Sequence, residues 1–273
     1  MRMNIKAVSR TMKGILPFCL FATLLFSCDN IAEEDRLIYE APPVVNRSVL
    51  IEDFTGQRCV NCPNAADEIH ALQQEYGDSV VIAVGIHGGP MAVHPNPERN
   101  LVGLATETGD NYNDYWNVEQ WPTGMVNRHG VINYINWKSQ VREELTKTAP
   151  VNIVGSFHAA NGSDKADISI EVEGAQGQTT GKLQVWVIED NITAIQLMPD
   201  GSTNRDYVHQ HVFRAAVNGE WGEDISVNEG ETITRSYSLK LASEWVPANL
   251  SIVTFVYNEN GVLQVIRNSL RIE

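Results

Sequence analysis

Cysteine is scarce in this 273-residue chain and stops early: Cys19, Cys28, Cys59 and Cys62 are the whole complement. Beyond residue 62 no disulfide can brace the fold. Positive charge is also short, with 20 Lys and Arg against 34 Asp and Glu and a formal charge of −14. Such a body repels nucleic acid and anionic lipid rather than seeking them. No apolar run reaches the roughly 18 residues of a membrane span; the longest, "ILPFCLFATLLF", covers residues 15–26. The phosphate-binding and dinucleotide glycine motifs and the G-x-S-x-G nucleophile motif are missing, which removes the commonest sequence signs of nucleotide and hydrolase chemistry. There is no second C-x-x-C and no H-x₃₋₅-H, so a four-ligand zinc site cannot be assembled from short motifs. What is plentiful is apolar content, 43%, the level of a folded globular chain.

The N-terminus reads as a targeting segment. Arg2, Lys6, Arg10 and Lys13 form a basic leader ahead of the apolar run. The run ends in "LFSC", where Leu25, Ser27 and Cys28 resemble a bacterial lipobox. That resemblance implies a signal peptide over 1–27, cleavage before Cys28 and acylation of its thiol, and two or more acyl chains anchor stably where one does not. Residues 28–47 then form an acidic, Pro-containing tether. Asp29 alone would signal inner-membrane retention in enteric bacteria. The acidic cluster behind Cys28 instead resembles the surface-export signal of Bacteroidetes lipoproteins, which places the chain on the outer membrane, facing outward. Loss of residues 1–27 takes the formal charge from −14 to −18 and leaves Cys59 and Cys62 as the free thiols, in an oxidising compartment.

Two periodicities divide the remainder. Over residues 48–149 strands alternate with helices. "VLIEDF" and "SVVIAVGIH" are short apolar strands, the second continuous enough to be covered on both faces. Between them Ala65, Ile69, Leu72 and Tyr76 recur at helical spacing, and Gly77 stands where a C-cap belongs. A polar stretch, 88–108, is followed by a hairpin turning at His129–Gly130 and a closing helix over Trp137–Lys147, with Glu143 and Glu144 on its solvated face. Over residues 150–273 about seven alternating segments separated by Gly, Asn and Asp predict an immunoglobulin-like antiparallel sandwich.

Cys59 and Cys62 stand at the first strand–helix junction in "DFTGQRCVNCPNA". Two thiols one turn apart are a redox pair, half of a metal site or a structural staple. The order β-α-β…β-β-α with this pair resembles the thioredoxin fold. Asp53-Phe54 precedes Cys59 at the family's spacing, and Trp116, Val118 and "WPT" (Trp121, Pro122, Thr123) repeat its approach to a cis-proline. The resemblance implies that Cys59, the more exposed thiol, attacks, that Cys62 resolves the mixed disulfide, that buried Asp53 relays a proton and that Pro122 is cis beside the pair. Departures are Arg58 in place of Trp, Val60-Asn61 in place of Gly-Pro, and the longer 88–108 excursion, which reads as a lid, a binding loop or a decorated connection near the active-site end.

Across its length the chain resembles the twenty-eight-kilodalton outer-membrane protein family of Bacteroidetes lipoproteins. The shared features are the lipobox, "TGxxCxNCPxA", "WPTGMVNR" and "YVHQHVFRA". Within the last of these, His209 and His211 are two residues apart on an expected strand and so share a face. They are weak metal candidates with no assignable third ligand, and outward polar positions otherwise. Tyr112, Tyr115, Trp116, Trp121 and Trp137 cluster near Pro122 and read first as core rings. The function expected is a lipid-anchored thiol–disulfide oxidoreductase; the alternative is a surface adhesin or binding module whose C-x-x-C is a structural disulfide. Neither calls for a cofactor. The expected partners are the membrane, through Cys28, and proteins carrying thiols or disulfides.

Overall fold

The computed structural model describes residues 44–99 and 101–273, in a compact unit. The signal sequence, Cys28 and most of the tether lie outside the described residues. The N-terminal half runs β1 (Val45–Asn46), β2 (Val49–Thr55), α1 (Cys62–Tyr76), β3 (Val81–His87), α2 (Glu107–Tyr115), β4 (Thr123–Val126), β5 (Ile132–Asn133), α3 (Trp137–Glu144) and β6 (Thr148–Ala149). β2 and β3 are parallel neighbours joined through α1, as continuous apolar strands covered on both faces require. α1 buries Ala65, Ile69 and Leu72 and ends where the Gly77 N–H bonds back to the Gln73 carbonyl. α2 was not anticipated within or after the 88–108 stretch. Its signal was present: the Thr106 hydroxyl accepts from the Gly109 N–H, and Glu107 and Asp110 sit in the first turn.

The C-terminal half contributes β7 (Val151–Ala159), β8 (Lys165–Gly174), β9 (Thr179–Glu189), β10 (Ile192–Leu197), β11 (Thr203–His209), β12 (Val212–Ala216), β13 (Glu223–Val227), β14 (Thr232–Lys240), β15 (Leu250–Asn258), β16 (Gly261–Ser269) and β17 (Arg271–Ile272). One sheet holds β14-β8-β7-β17. Among the described residues the largest sheet has nine strands. It runs β16-β15-β9-β12-β3-β2-β4-β5, with β13 also on β9, and therefore passes without a break from one half into the other. The chain is thus mostly β, with sandwich character where the β7/β8/β14 layer faces β9, β15 and β16.

Alternation sorts the core. On β9, Leu183, Val185 and Val187 point into the sandwich, while Trp186 and Ile188 point the other way and join Leu50, Phe54, Ile82 and Val84 from the first half. On β2, Val49 and Ile51 face α1 and α3 with Trp137 and Val141. The expected strand through "YVHQHVFRA" is broken: β11 ends at His209, β12 starts at Val212, and His211 between them has φ 57. The strand phase changes there, so His209 is buried and Val208 exposed, the reverse of the expected pattern. Glu144 is also not solvated. It is buried against Arg47 (3.1 Å), Asn127 (2.9 Å), His129 (3.1 Å) and Lys147 (2.5 Å), because the end of α3 tucks under the chain leading into β2. Glu143, its neighbour, is exposed as expected.

A buried ion pair ties the layers. Arg128, at φ 60 in the β4–β5 turn, donates from Nε and Nη2 to the Glu52 carboxylate at 3.0–3.2 Å. Its guanidinium also lies 4.9 Å from the Phe255 ring centre and 5.4 Å from that of Trp186, both in the second half. Removing one partner of a buried pair strands the other charge. Glu52→Gln is expected to lower the stability of the fold by about 3–5 kcal/mol in urea unfolding. Glu75→Gln, which breaks exposed bridges to Lys138 and Arg142, should leave the midpoint unchanged.

Candidate functional site

Cys59 and Cys62 form a disulfide where β2 hands over to α1, with Pro63 in the first helical turn. A half-cystine here meets the positive end of the helix dipole. Their surroundings differ from expectation in one respect. Both half-cystines are nearly inaccessible, Cys59 4% and Cys62 3% exposed, because other parts of the chain lie over them.

Two segments make that cover. The 88–106 excursion lies along the C-x-x-C loop, where the Arg58 N–H donates to the Met91 carbonyl at 2.9 Å. A Cβ on Gly56 would sit 2.3 Å from the Met91 oxygen, so the approach needs glycine there. The second segment is the β10–β11 hairpin, a two-stranded sheet of its own. Its Leu197 N–H donates to the Gln57 carbonyl at 2.9 Å, and the buried Gln196 side chain donates to the Cys59 carbonyl at 2.8 Å. Gln57 ties both segments together: its amide donates to the Val102 and Ile195 carbonyls and accepts from the Leu104 N–H. The hairpin stems are Asn191 and His211, both in the left-handed region. At its base Asp190 accepts from the His211 N–H at 2.7 Å and pairs with Arg267.

Beneath the hairpin is a cavity of about 110 Å³ lined by Asp53, Cys62, His87 and His209, among others. Asp53 is buried with Oδ1 unpartnered, and desolvation raises its carboxyl to about 8. Burial pushes the imidazoles down, His87 to about 3 with His209 adding to the effect, and His209 to about 4. Their rings meet edge-on at 5.5 Å, and His209 Nε2 has no partner. His211 also lines this cavity, with its ring paired to Asp190 at 3.0 Å and Gln73 at 3.3 Å. Among the described residues no group of three or more His, Cys, Asp or Glu is placed to hold a metal.

The Trp121–Pro122 bond is cis. Pro122 leads directly into β4, which pairs Thr123 with Phe54 and Gly124 with Asp53, so it stands beside the end of β2 that delivers the C-x-x-C loop. Gln196 and His87 were not found from sequence. Gln196 reaches a cysteine 137 positions away, and neither residue sits in a motif.

The described residues thus form a β-rich protein with a disulfide at the start of α1, and none of their helices is long and apolar enough to cross a membrane. The family model for outer membrane protein Omp28 matches residues 109–272, and the chain belongs to that family; it is an outer membrane lipoprotein. Among solved structures, HBP35 of Porphyromonas gingivalis superposes with TM-score 0.63 at 17% identity, over 83% of this chain and 76% of that one. A domain of the outer membrane lipoprotein Omp28 from P. gingivalis matches at 23% identity and TM-score 0.34, over 46% of this chain and 99% of that one. No curated protein matches.

Two predictions follow from the geometry. A carboxyl raised in the folded state contributes stability that is full below its unfolded value near 3.8 and lost as pH rises toward about 8. Asp53→Asn should therefore match wild type near pH 4 and become the more stable protein progressively up to pH 8, in urea midpoints measured at each pH. His87 and His209 act in the opposite sense, their contribution fading as pH falls below about 6.5, but equally in both proteins. Gln196→Ala removes the amide's hydrogen bonds to the Cys59, Gly56 and Leu197 carbonyls, of which the short bond to Cys59 holds the cover on the disulfide and is worth about 1–1.5 kcal/mol. Dithiothreitol reduction of the disulfide should accelerate about tenfold, followed by thiol titration. An unchanged rate would show that the hairpin does not gate the disulfide.

Proposed function

We propose that the protein is a surface-facing lipoprotein, anchored through Cys28, whose residues 48–149 form a thioredoxin-like half and exchange disulfides with other proteins through Cys59 and Cys62. On this reading residues 150–273 form a second domain whose sheet extends the first. The observation that carries the reading is Asp53. A buried, unpartnered carboxyl costs stability wherever it stands, and this one lines the same small cavity as Cys62. A structural staple has no use for it, whereas a thiol that must lose its proton does.

The roles divide accordingly. Cys62 lines the Asp53 cavity and Cys59 does not. Cys59, flanked by exposed Arg58 and Val60, is the sulfur that meets a partner. In the exchange, a Cys59 thiolate displaces one sulfur of a substrate disulfide and forms a mixed disulfide. Cys62, its proton taken by ionised Asp53, then attacks Cys59 and releases the second substrate sulfur. One disulfide and two thiols stand on each side, and the reverse order oxidises a substrate dithiol. Pro122, without an N–H, shapes the adjoining wall.

The second reading is a binding module with a structural disulfide. What favours it is the cover: both sulfurs are nearly inaccessible beneath the hairpin. Reactivity separates the two. For the full chain reduced and then treated with iodoacetamide, exchange chemistry predicts faster alkylation at Cys59 than at Cys62, with a thiol pKa below about 8.5. Cys62→Ser should accumulate mixed disulfides at Cys59, resolved on non-reducing gels, and Asp53→Asn should slow only the resolving step. Alkylation no faster than at a free cysteine, with no trapped partner, would leave the structural disulfide standing.

A further inference from the structure

A second, larger pocket of about 860 Å³ shares no lining residue with the disulfide cavity. It opens between the end of α2 and strands β9, β13 and β15, and its wall is aromatic. Tyr115 is 65% exposed, with its ring centre 4.3 Å from that of Trp221 and 5.0 Å from that of Trp116, the latter nearly perpendicular. Tyr257 adds a third side and is held in place by donating its hydroxyl proton to the Trp221 carbonyl at 2.7 Å. Behind these rings sits Arg128. It lines the pocket while nine-tenths buried, and its Nη1 has no hydrogen-bond partner, as Trp116 Nε1 has none. A tyrosine so exposed, fixed between two tryptophans at a concave site with unspent donors behind it, is a binding surface rather than a loose end of the core.

Charge decides what it takes. Arg128 is neutralised by Glu52 at 3.0 Å, and Lys182 at the rim by Asp224 at 2.8 Å. No uncompensated positive charge is left to attract a phosphate or a carboxylate. A cation is disfavoured as well, because the Arg128 guanidinium lies 4.2 Å from the Tyr257 ring centre and 6.0 Å from that of Trp116, occupying the faces a cation would use. A wholly apolar chain would strand the carboxylates, amide and ammonium around the mouth. A ligand with an apolar face and an edge of mixed donors and acceptors fits every wall. A sugar ring has that form: its C–H face lies on aromatic rings, and its hydroxyls pair with planar carboxylate and amide groups.

We propose that this pocket binds a neutral saccharide, with one ring stacked on Tyr115 and Trp221 and hydroxyls directed at Asn258 and Glu259. The volume falls inside the range of about 300–1,000 Å³ typical of small-molecule sites and has room for a short oligosaccharide. The site is independent of the thiol chemistry: it stands or falls separately from Cys59 and Cys62.

The test uses the full chain in a detergent without a sugar headgroup. Tryptophan fluorescence and calorimetry are recorded against neutral trisaccharides of glucose, galactose, mannose, xylose and N-acetylglucosamine, with laurate and tri-tryptophan as competing classes. At least one trisaccharide should bind with a Kd below about 1 mM and perturb the tryptophan emission. Tyr115→Ala removes a ring that stands mostly in solvent, so the unfolding midpoint should hold while affinity falls about tenfold or more, the loss of a ring contact worth about 1.4 kcal/mol. Glu259→Gln should weaken binding less, and Ile135→Ala, exposed outside the pocket, not at all. No binding across the trisaccharides, equal binding by Tyr115→Ala, or preference for laurate or tri-tryptophan would each overturn the proposal.

Discussion

The open edge of β3 is the constraint on which the rest of the molecule depends. β3 is buried at every position and pairs with β2 along the whole of one edge. Left bare, its other edge would be a row of unpaired N–H and C=O groups beside buried side chains. β12 closes it: the Gly85 N–H donates to the His211 carbonyl at 2.8 Å, and Val212 registers with Gly85. β12 in turn is antiparallel to β9, so this one junction welds the sandwich sheet to the parallel pair.

The junction also decides what lies over the disulfide. Between β9 and β12 the chain must leave the sheet and return, and it does so as the β10–β11 hairpin. Because β12 sits against β3, the hairpin is delivered to the end of the sheet where β2 and β3 terminate, directly above α1's first turn. Gln196 and Leu197 then find the carbonyls of Cys59 and Gln57. Asp190, His211 and Arg267 hold its base, and two left-handed residues mark its stems. Burial of the half-cystines, the raised carboxyl of Asp53 and the lowered imidazoles of His87 and His209 all follow from that placement.

The same sheet gives the chain two unlike cavities. At the end covered by the hairpin the walls are small, buried and titratable. On the face where α2 meets β9 and β15, the walls are rings and compensated ion pairs. Trp186 and Tyr112, bonded through the indole N–H at 3.1 Å, fill the interior behind that second pocket and fix the floor on which the outer aromatics rest. A small titratable cavity and an aromatic pocket thus share one scaffold without sharing a residue.

Much of this was legible in the residues. Helical spacing from Ala65 to Tyr76, Gly77 as terminator, the apolar runs of β2 and β3, the hairpin at His129–Gly130 and the alternating C-terminal segments all encode local preferences that the structure obeys. Cys59 and Cys62 were marked by their spacing, and Asp53 and Pro122 by the resemblance to the thioredoxin fold that the short motifs around them carry. Long-range pairing was not encoded locally. Nothing in "YVHQHVFRA" announces that the strand breaks at Gln210, since the break exists to let β12 reach β3. Nothing around Glu144 announces the basic groups that bury it. Gln196 carries no signal, because a glutamine acquires its role only when tertiary structure brings a carbonyl 137 residues away within reach. Periodicity and motif spacing set the elements and named the thiols, while the closing of one sheet edge decided their exposure, their electrostatics and what covers them.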